Sequence, residues 1–312
     1  MFVGTYIIPA IAQNTEKSQS TSKGSWLYVG GSGPGNYTRI QDAIDNASDG
    51  DTVFVFSGLY QEGGIVVKER KYITIIGEDK NTTIVDGGQK SWVFQIANID
   101  SSGVSHIKIS RFTIQNATVG VYIYNSDFNT INDNIIQNNV LGNLPQGIVI
   151  GFSNNNSIYG NVIRNNEYGI YVWRYPKNNK IEQNLIENNS YGIYLVGITE
   201  NTVISKNTII NNFEYGVSIY YCYYTIVEKN NIYKNHRDAF FVVPLHHSNF
   251  FKYRAFWNEN YWGSIQLQHK IIVGRLEITL PFYSPWHDYN LYLKWLNFDW
   301  HPAQEPYTIG GI

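Results

Sequence analysis

The chain has 312 residues, with Lys+Arg 23 against Asp+Glu 25 and a net charge of −2, a balance that gives a nucleic-acid partner little support. Its one cysteine, Cys222, excludes a disulfide framework. Aromatics make up 15% of the residues and 25 residues are Tyr, a side chain that offers an apolar face and a polar tip to neighbouring strands or to a ligand.

In chain order, residues 2–12 are mostly apolar and end Ala10-Ile11-Ala12 before Gln13. This reads as the remainder of a signal peptide lacking its basic start, and predicts a secreted, periplasmic or cell-surface protein. Residues 14–23 are polar and Ser/Thr-rich, as in a linker, so residues 1–25 are set apart from the folded body. No later stretch has the unbroken apolar length of a membrane span. Ile40, Ala43, Ile44 and Ala47 recur at helical spacing, which predicts a short amphipathic helix near 38–48 with Thr38 as its N-cap. Strands are predicted at 52–56 and near 65–67, 72–76 and 83–85.

From there one pattern takes over. Asn-x-x-x-Asn begins at Asn134, Asn161, Asn184, Asn207 and Asn231, in steps of 27, 23, 23 and 24 residues. A period in the twenties without helical patterning predicts a solenoid of three short strands per coil, a parallel β-helix. In the unit from Asn201 to Ile219, the predicted inward residues are Val203, Ile209, Val217 and Ile219. A glycine opens the third strand at Gly120, Gly147, Gly169, Gly192 and Gly216. With coils stacked about 4.8 Å apart, equivalent asparagines form a column and bond one another. The longer first step fits an insertion at 140–146 that bulges at a turn and forms one wall of a groove. The solenoid is assigned to 26–262, and the remaining 263–312, which hold Trp286, Trp295 and Trp300, to an irregular aromatic cap over an otherwise open end.

The segment Tyr37-Thr-Arg-Ile-Gln-Asp-Ala-Ile-Asp-Asn-Ala, the following Gly58-Leu-Tyr-Gln-Glu, the run from Ile75 to Gly87 and Asn260-Tyr-Trp closely resemble exported right-handed parallel β-helix proteins of the NosD-like, pectin-lyase-like class. The resemblance implies the fold over about residues 26–262. It leaves activity open, because one scaffold hosts many functions. The NosD connection implies copper handling, but soft ligands are confined to Cys222 and Met1. The imidazoles of His236, His246 and His247 are candidates for a metal ion, though without the spacing of a dedicated site, and no cofactor is implied. The aspartate clusters of the related lyases and hydrolases have no counterpart: Asp127, Asp133 and Asp238 fall on different coils.

On the strand after each glycine, alternation assigns Tyr122, Val149, Tyr171, Tyr194 and Ser218 to one outward column. Tyr124, Gly151, Trp173, Val196 and Tyr220 form the next. The expectation is an exposed face carrying Tyr122, Tyr124, Tyr171, Trp173, Tyr194 and Tyr220, edged by Arg174 and Lys177, that binds a polysaccharide or surface glycan. The alternatives are a lyase, hydrolase or epimerase using Glu167, Glu187 and Arg164 near that face, or a passive adhesive or structural protein. Arg164 beside Glu187 also reads as a cross-strand ion pair. Nothing in the sequence bears on the oligomeric state.

Overall fold

The computed structural model describes residues 24–98, 103–244, 252–264, 269–280 and 289–310. Over most of this length the chain winds as a right-handed parallel β-helix. A representative coil has strands Ser157–Tyr159, Val162–Arg164 and Tyr168–Trp173. The next has Lys180–Glu182, Leu185–Glu187 and Tyr191–Val196, and pairs with it strand for strand in parallel register. Stacking of the coils produces three faces. The second is an eight-stranded sheet, and the third, built from the long six-residue strands, is the widest.

Each coil encloses one layer of aliphatic side chains, such as Ile158, Ile163, Ile170 and Val172, all with no exposure. Identical branched residues in register fill the interior at crystal-like density. In the unit from Asn201 to Ile219 the first strand is offset by one residue from its expected phase: Ile204 is buried, whereas Val203 faces outward and is half-buried.

The corners are held by asparagine ladders. In one, the backbone N–H and side-chain amide of Asn134 donate to Asn161, those of Asn161 to Asn184, of Asn184 to Asn207, and of Asn207 to Asn230, at 2.9–3.1 Å. The fifth member is therefore Asn230 and not Asn231, whose side chain turns to the backbone of Tyr307. A second ladder runs Asn139, Asn166, Asn189, Asn212, Asn235. It uses the residue after Asn138, Asn165, Asn188 and Asn211, which themselves adopt left-handed φ of 55° to 56° to turn the corner. A third links Asn129, Asn156 and Asn179.

The two ends are closed differently. The helix Ile40–Asn46 covers the first coils with Ile40, Ala43 and Ile44 buried. Thr38 does not cap it. The N-cap residue is Arg39, and the free N–H groups of Ile40 and Gln41 donate to the buried carboxylate of Glu62 at 2.8 and 2.9 Å, where the helix dipole favours negative charge. At the far end the described residues form a regular structure in place of an irregular cap. Strands Lys270–Leu280 and Tyr289–Asp299 make an antiparallel hairpin. It joins the third face through Val242–Pro244 and the first face through Trp257, so it crosses the open mouth and adds Ile272 and Leu276 to the core. Trp286 and the signal-peptide segment lie outside the described residues.

Candidate functional site

The third face carries three outward columns. Register places Tyr122, Val149, Tyr171, Tyr194 and Ser218 in one, and Tyr124, Gly151, Trp173, Val196 and Tyr220 in another. The inward partners of these residues, from Val121 to Ile219, are buried. Sequence reasoning missed the third column: Tyr168, Tyr191 and Tyr215, each immediately before a strand glycine. The signal was present as a thrice-repeated Tyr-Gly. It was obscured because that glycine, with its close approach to the next coil, breaks the simple alternation. A Cβ on Gly169 would lie 2.5 Å from the carbonyl oxygen of Gly192.

From Tyr168 to Tyr220 the rings pack as a half-buried sheet. Tyr168 stacks on Tyr191 at 4.8 Å, Tyr191 on Tyr215 at 5.7 Å, Tyr171 on Tyr194 at 5.5 Å and Tyr194 on Tyr220 at 5.1 Å. Such cross-strand pairs stabilise the sheet. Burial among neighbouring rings pushes the phenols of Tyr168 and Tyr220 up to about 12, and those of Tyr122, Tyr171, Tyr191 and Tyr194 upward as well. Nearby charge divides the set: Glu167 also raises Tyr168, whereas Arg174 opposes the rise at Tyr122 and Tyr171. All these phenols stay protonated at neutral pH. Among the described residues the hydroxyls of Tyr122, Tyr171 and Tyr194 have no protein hydrogen-bond partner, so each can donate to and accept from a ligand.

One coil interrupts the ring surface. Strand Gln146–Gly151 places Val149 where its neighbours place Tyr122 and Tyr171, and Gly151 where they place Tyr124 and Trp173. The indole of Trp173 folds over Gly151, where a Cβ would meet Nε1 at 2.7 Å. The result is a cleft of 330 Å³ floored by Val149, Tyr122 and Tyr171 and walled by Trp92, Trp173 and Leu144. That volume is at the lower end for small-ligand sites. Leu144 belongs to the predicted insertion, which does stand at the edge of this cleft, while Val140 and Leu141 line a separate hollow. Trp92, two coils before the insertion, was not foreseen.

At the far edge of the face, Arg174 is exposed with its guanidinium 4.5 Å over the Trp173 ring and 5.9 Å from Phe152. Phe152 also packs edge-on against Tyr124 at 5.5 Å. Lys177 is not free to meet a ligand: it pairs with Glu200 at 2.9 Å. Tyr220 marks the other limit of the ring surface, 5.7 Å from Phe240.

The enzymatic candidates do not assemble. Arg164 and Glu187 are register partners on the second sheet, but Arg164 donates to Gln137 at 3.0 Å and forms no ion pair with Glu187 among the described residues. Glu167 occupies the corner before Tyr168. Arg174 lies beyond the opposite end of that six-residue strand, seven residues on and about 23 Å away at 3.3 Å per residue. His236 is exposed, and His246 and His247 lie outside the described residues. No three His, Cys, Asp or Glu side chains come together among the described residues. The Cys222 thiol is buried, and burial pushes it up to about 12, which keeps it protonated and a poor metal ligand.

Residues 95–258 match the family described as the right handed beta helix region. Among curated proteins, a 68-residue stretch is 34% identical to a probable pectinesterase/pectinesterase inhibitor 41 of Arabidopsis thaliana. The match covers 20% of this chain and 12% of that protein. Among solved structures, a pectin methylesterase variant in complex with a hexasaccharide superposes with a TM-score of 0.54 at 13% identity, over 77% of this chain and 90% of that one. The pectin methylesterase PemA from Erwinia chrysanthemi gives 0.52 at 12%, over 76% and 89%. An alginate lyase from Paenibacillus sp. gives 0.52 at 12%, over 76% and 87%. At these identities the superpositions establish a shared fold.

Proposed function

The chain belongs to the right-handed β-helix family, and from that premise we propose that it is an exported protein that binds polysaccharide along its aromatic third face. The observation that carries this reading is the cleft beside Val149, where a missing pair of rings leaves a recess between Tyr122 and Tyr171, closed on one side by the insertion. A sugar ring offers an apolar face to stack and a rim of hydroxyls to bond. The recess supplies both complements in flat rings and unpartnered phenols, and Arg174 at the edge adds a charge-assisted donor. Fold-sharing with proteins described as pectin methylesterase and alginate lyase is consistent with a glycan ligand. Export is supported by the leader-like apolar residues 2–12.

The test is affinity electrophoresis through gels containing pectin, alginate, xylan or β-glucan. The wild-type protein is expected to be retarded by at least one of them. The Tyr171→Ala, Trp173→Ala variant should bind that polymer at least about tenfold more weakly, a loss of about 1.4 kcal/mol. Unchanged retardation of the variant would remove the proposal.

A further inference from the structure

A second cleft, of 530 Å³, lies between the coil Arg237–Pro244 and the terminal hairpin. Four cationic side chains line it: Arg237, Lys270, Arg275 and Lys294. Among the described residues none of the four is ion-paired. Three of them rest on ring faces instead. Arg275 lies 5.7 Å from Phe240 and 5.5 Å from Tyr292, Lys270 is 5.4 Å from Trp262, and Arg237 is 5.5 Å from Tyr215. Asp238 is the acidic residue in the lining. Its carboxyl accepts from Asn235 at 3.1 and 3.3 Å and so serves the end of an asparagine ladder; burial raises it above the ordinary carboxylate range, a rise that the Asn235 bonds and the charge of Lys270 only partly offset.

Two further features show that this concentration of charge is costly without a counter-ion. Arg275 and Lys294 are directly opposed across the antiparallel hairpin, a placement in which like charges destabilise a sheet. The whole chain carries a net charge of −2, so four unpaired cations in one recess run against its overall balance. The cleft is also continuous with the aromatic face. Arg237 occupies the position after Tyr168, Tyr191 and Tyr215 in their column, three coil steps or about 14 Å from Tyr168.

We propose that this cleft is a second binding site that takes the anionic substituents of an acidic sugar. The cations meet the carboxylate or sulfate, and the exposed ring of Tyr292 meets the sugar. A polymer lying along the axis then reaches it from the aromatic recess over the tyrosine column. The second clause rests on the polysaccharide reading above; the anion site stands without it.

Titration calorimetry of the full chain with short probes separates the two. Trigalacturonate is expected to bind the wild-type protein, to weaken as salt is raised, and to exceed its fully methyl-esterified counterpart by tenfold or more. A sulfated trisaccharide run in parallel reports which anion is preferred, and tighter binding of either supports the site. The Lys270→Gln, Arg275→Gln variant should lose at least tenfold toward the acidic trimer while melting no lower than the wild-type protein. The Tyr171→Ala, Trp173→Ala variant should retain trimer binding while losing the polymer. Equal binding of the acidic and esterified trimers, no binding of any anionic trimer, or full affinity in the Lys270/Arg275 variant would overturn the proposal. Trimer binding without polymer binding would leave the anion site standing and remove the aromatic-face reading.

Discussion

At the scale of single residues, direction matters in the asparagine ladders. Every rung donates toward the C-terminal end, so the last asparagine in each column presents donors that another asparagine would only pass on. An aspartate, which accepts without donating, terminates the relay. Asp299 is fully buried and accepts from the backbone N–H groups of Glu259, Asn260 and His301, the Asn260 amide and the Trp262 indole, at 2.9–3.2 Å. Asp238 plays the same part for Asn235. Asp299→Ala would strand several buried donors and is expected to cost on the order of 3 kcal/mol, read as a lower urea midpoint. An unaltered midpoint would show that the ladder needs no terminator. The repeated asparagines were legible in the sequence because they recur. Asp299 was not, because it lies 39 residues beyond Asn260 and belongs to no repeat.

At the scale of elements, each coil turns at corners that need left-handed backbone. Asn165, Asn188 and Asn211 serve one corner, but Gln183, Lys206 and Lys229 serve another at φ of 55° to 56°, a conformation that disfavours residues with a Cβ. Lys206 is exposed and its backbone N–H bonds Glu228 at 3.3 Å, so glycine removes strain without removing a contact. Lys206→Gly is expected to stabilise by about 1 kcal/mol, seen as a raised melting temperature. A lowered one would mean the lysine stem packs more usefully than its exposure implies. The opposite change is expected at Gly169. There Ala would drive a methyl into the backbone of the next coil, and overpacking of this kind costs about 1–3 kcal/mol.

At the scale of the molecule, the stacked phenols act together. Tyr168 and Tyr220 ionise near 12, above the ordinary 10.0, because burial disfavours the charged form. The folded protein therefore holds protons that the unfolded chain releases. This contribution is complete below pH 10 and is lost as pH rises from 10 through 12. The melting temperature should be flat through neutral pH and fall above 10, and a tyrosinate absorbance titration should show a late-titrating group that moves down to the ordinary range in urea. Titration of every tyrosine near 10 in the native protein would contradict the packed face. Period and alternation settled the winding, the inward residues of the long strands and two of the three outward columns, because a solenoid turns local spacing into vertical neighbours. The recess at Val149, the engagement of Lys177 by Glu200, the engagement of Arg164 by Gln137 and the basic cleft under the hairpin depended on the assembled molecule. Each joins segments outside the repeat, or sets side-chain directions that no spacing specifies. Periodic order can be read one coil at a time; a cavity exists only where surfaces from several elements meet.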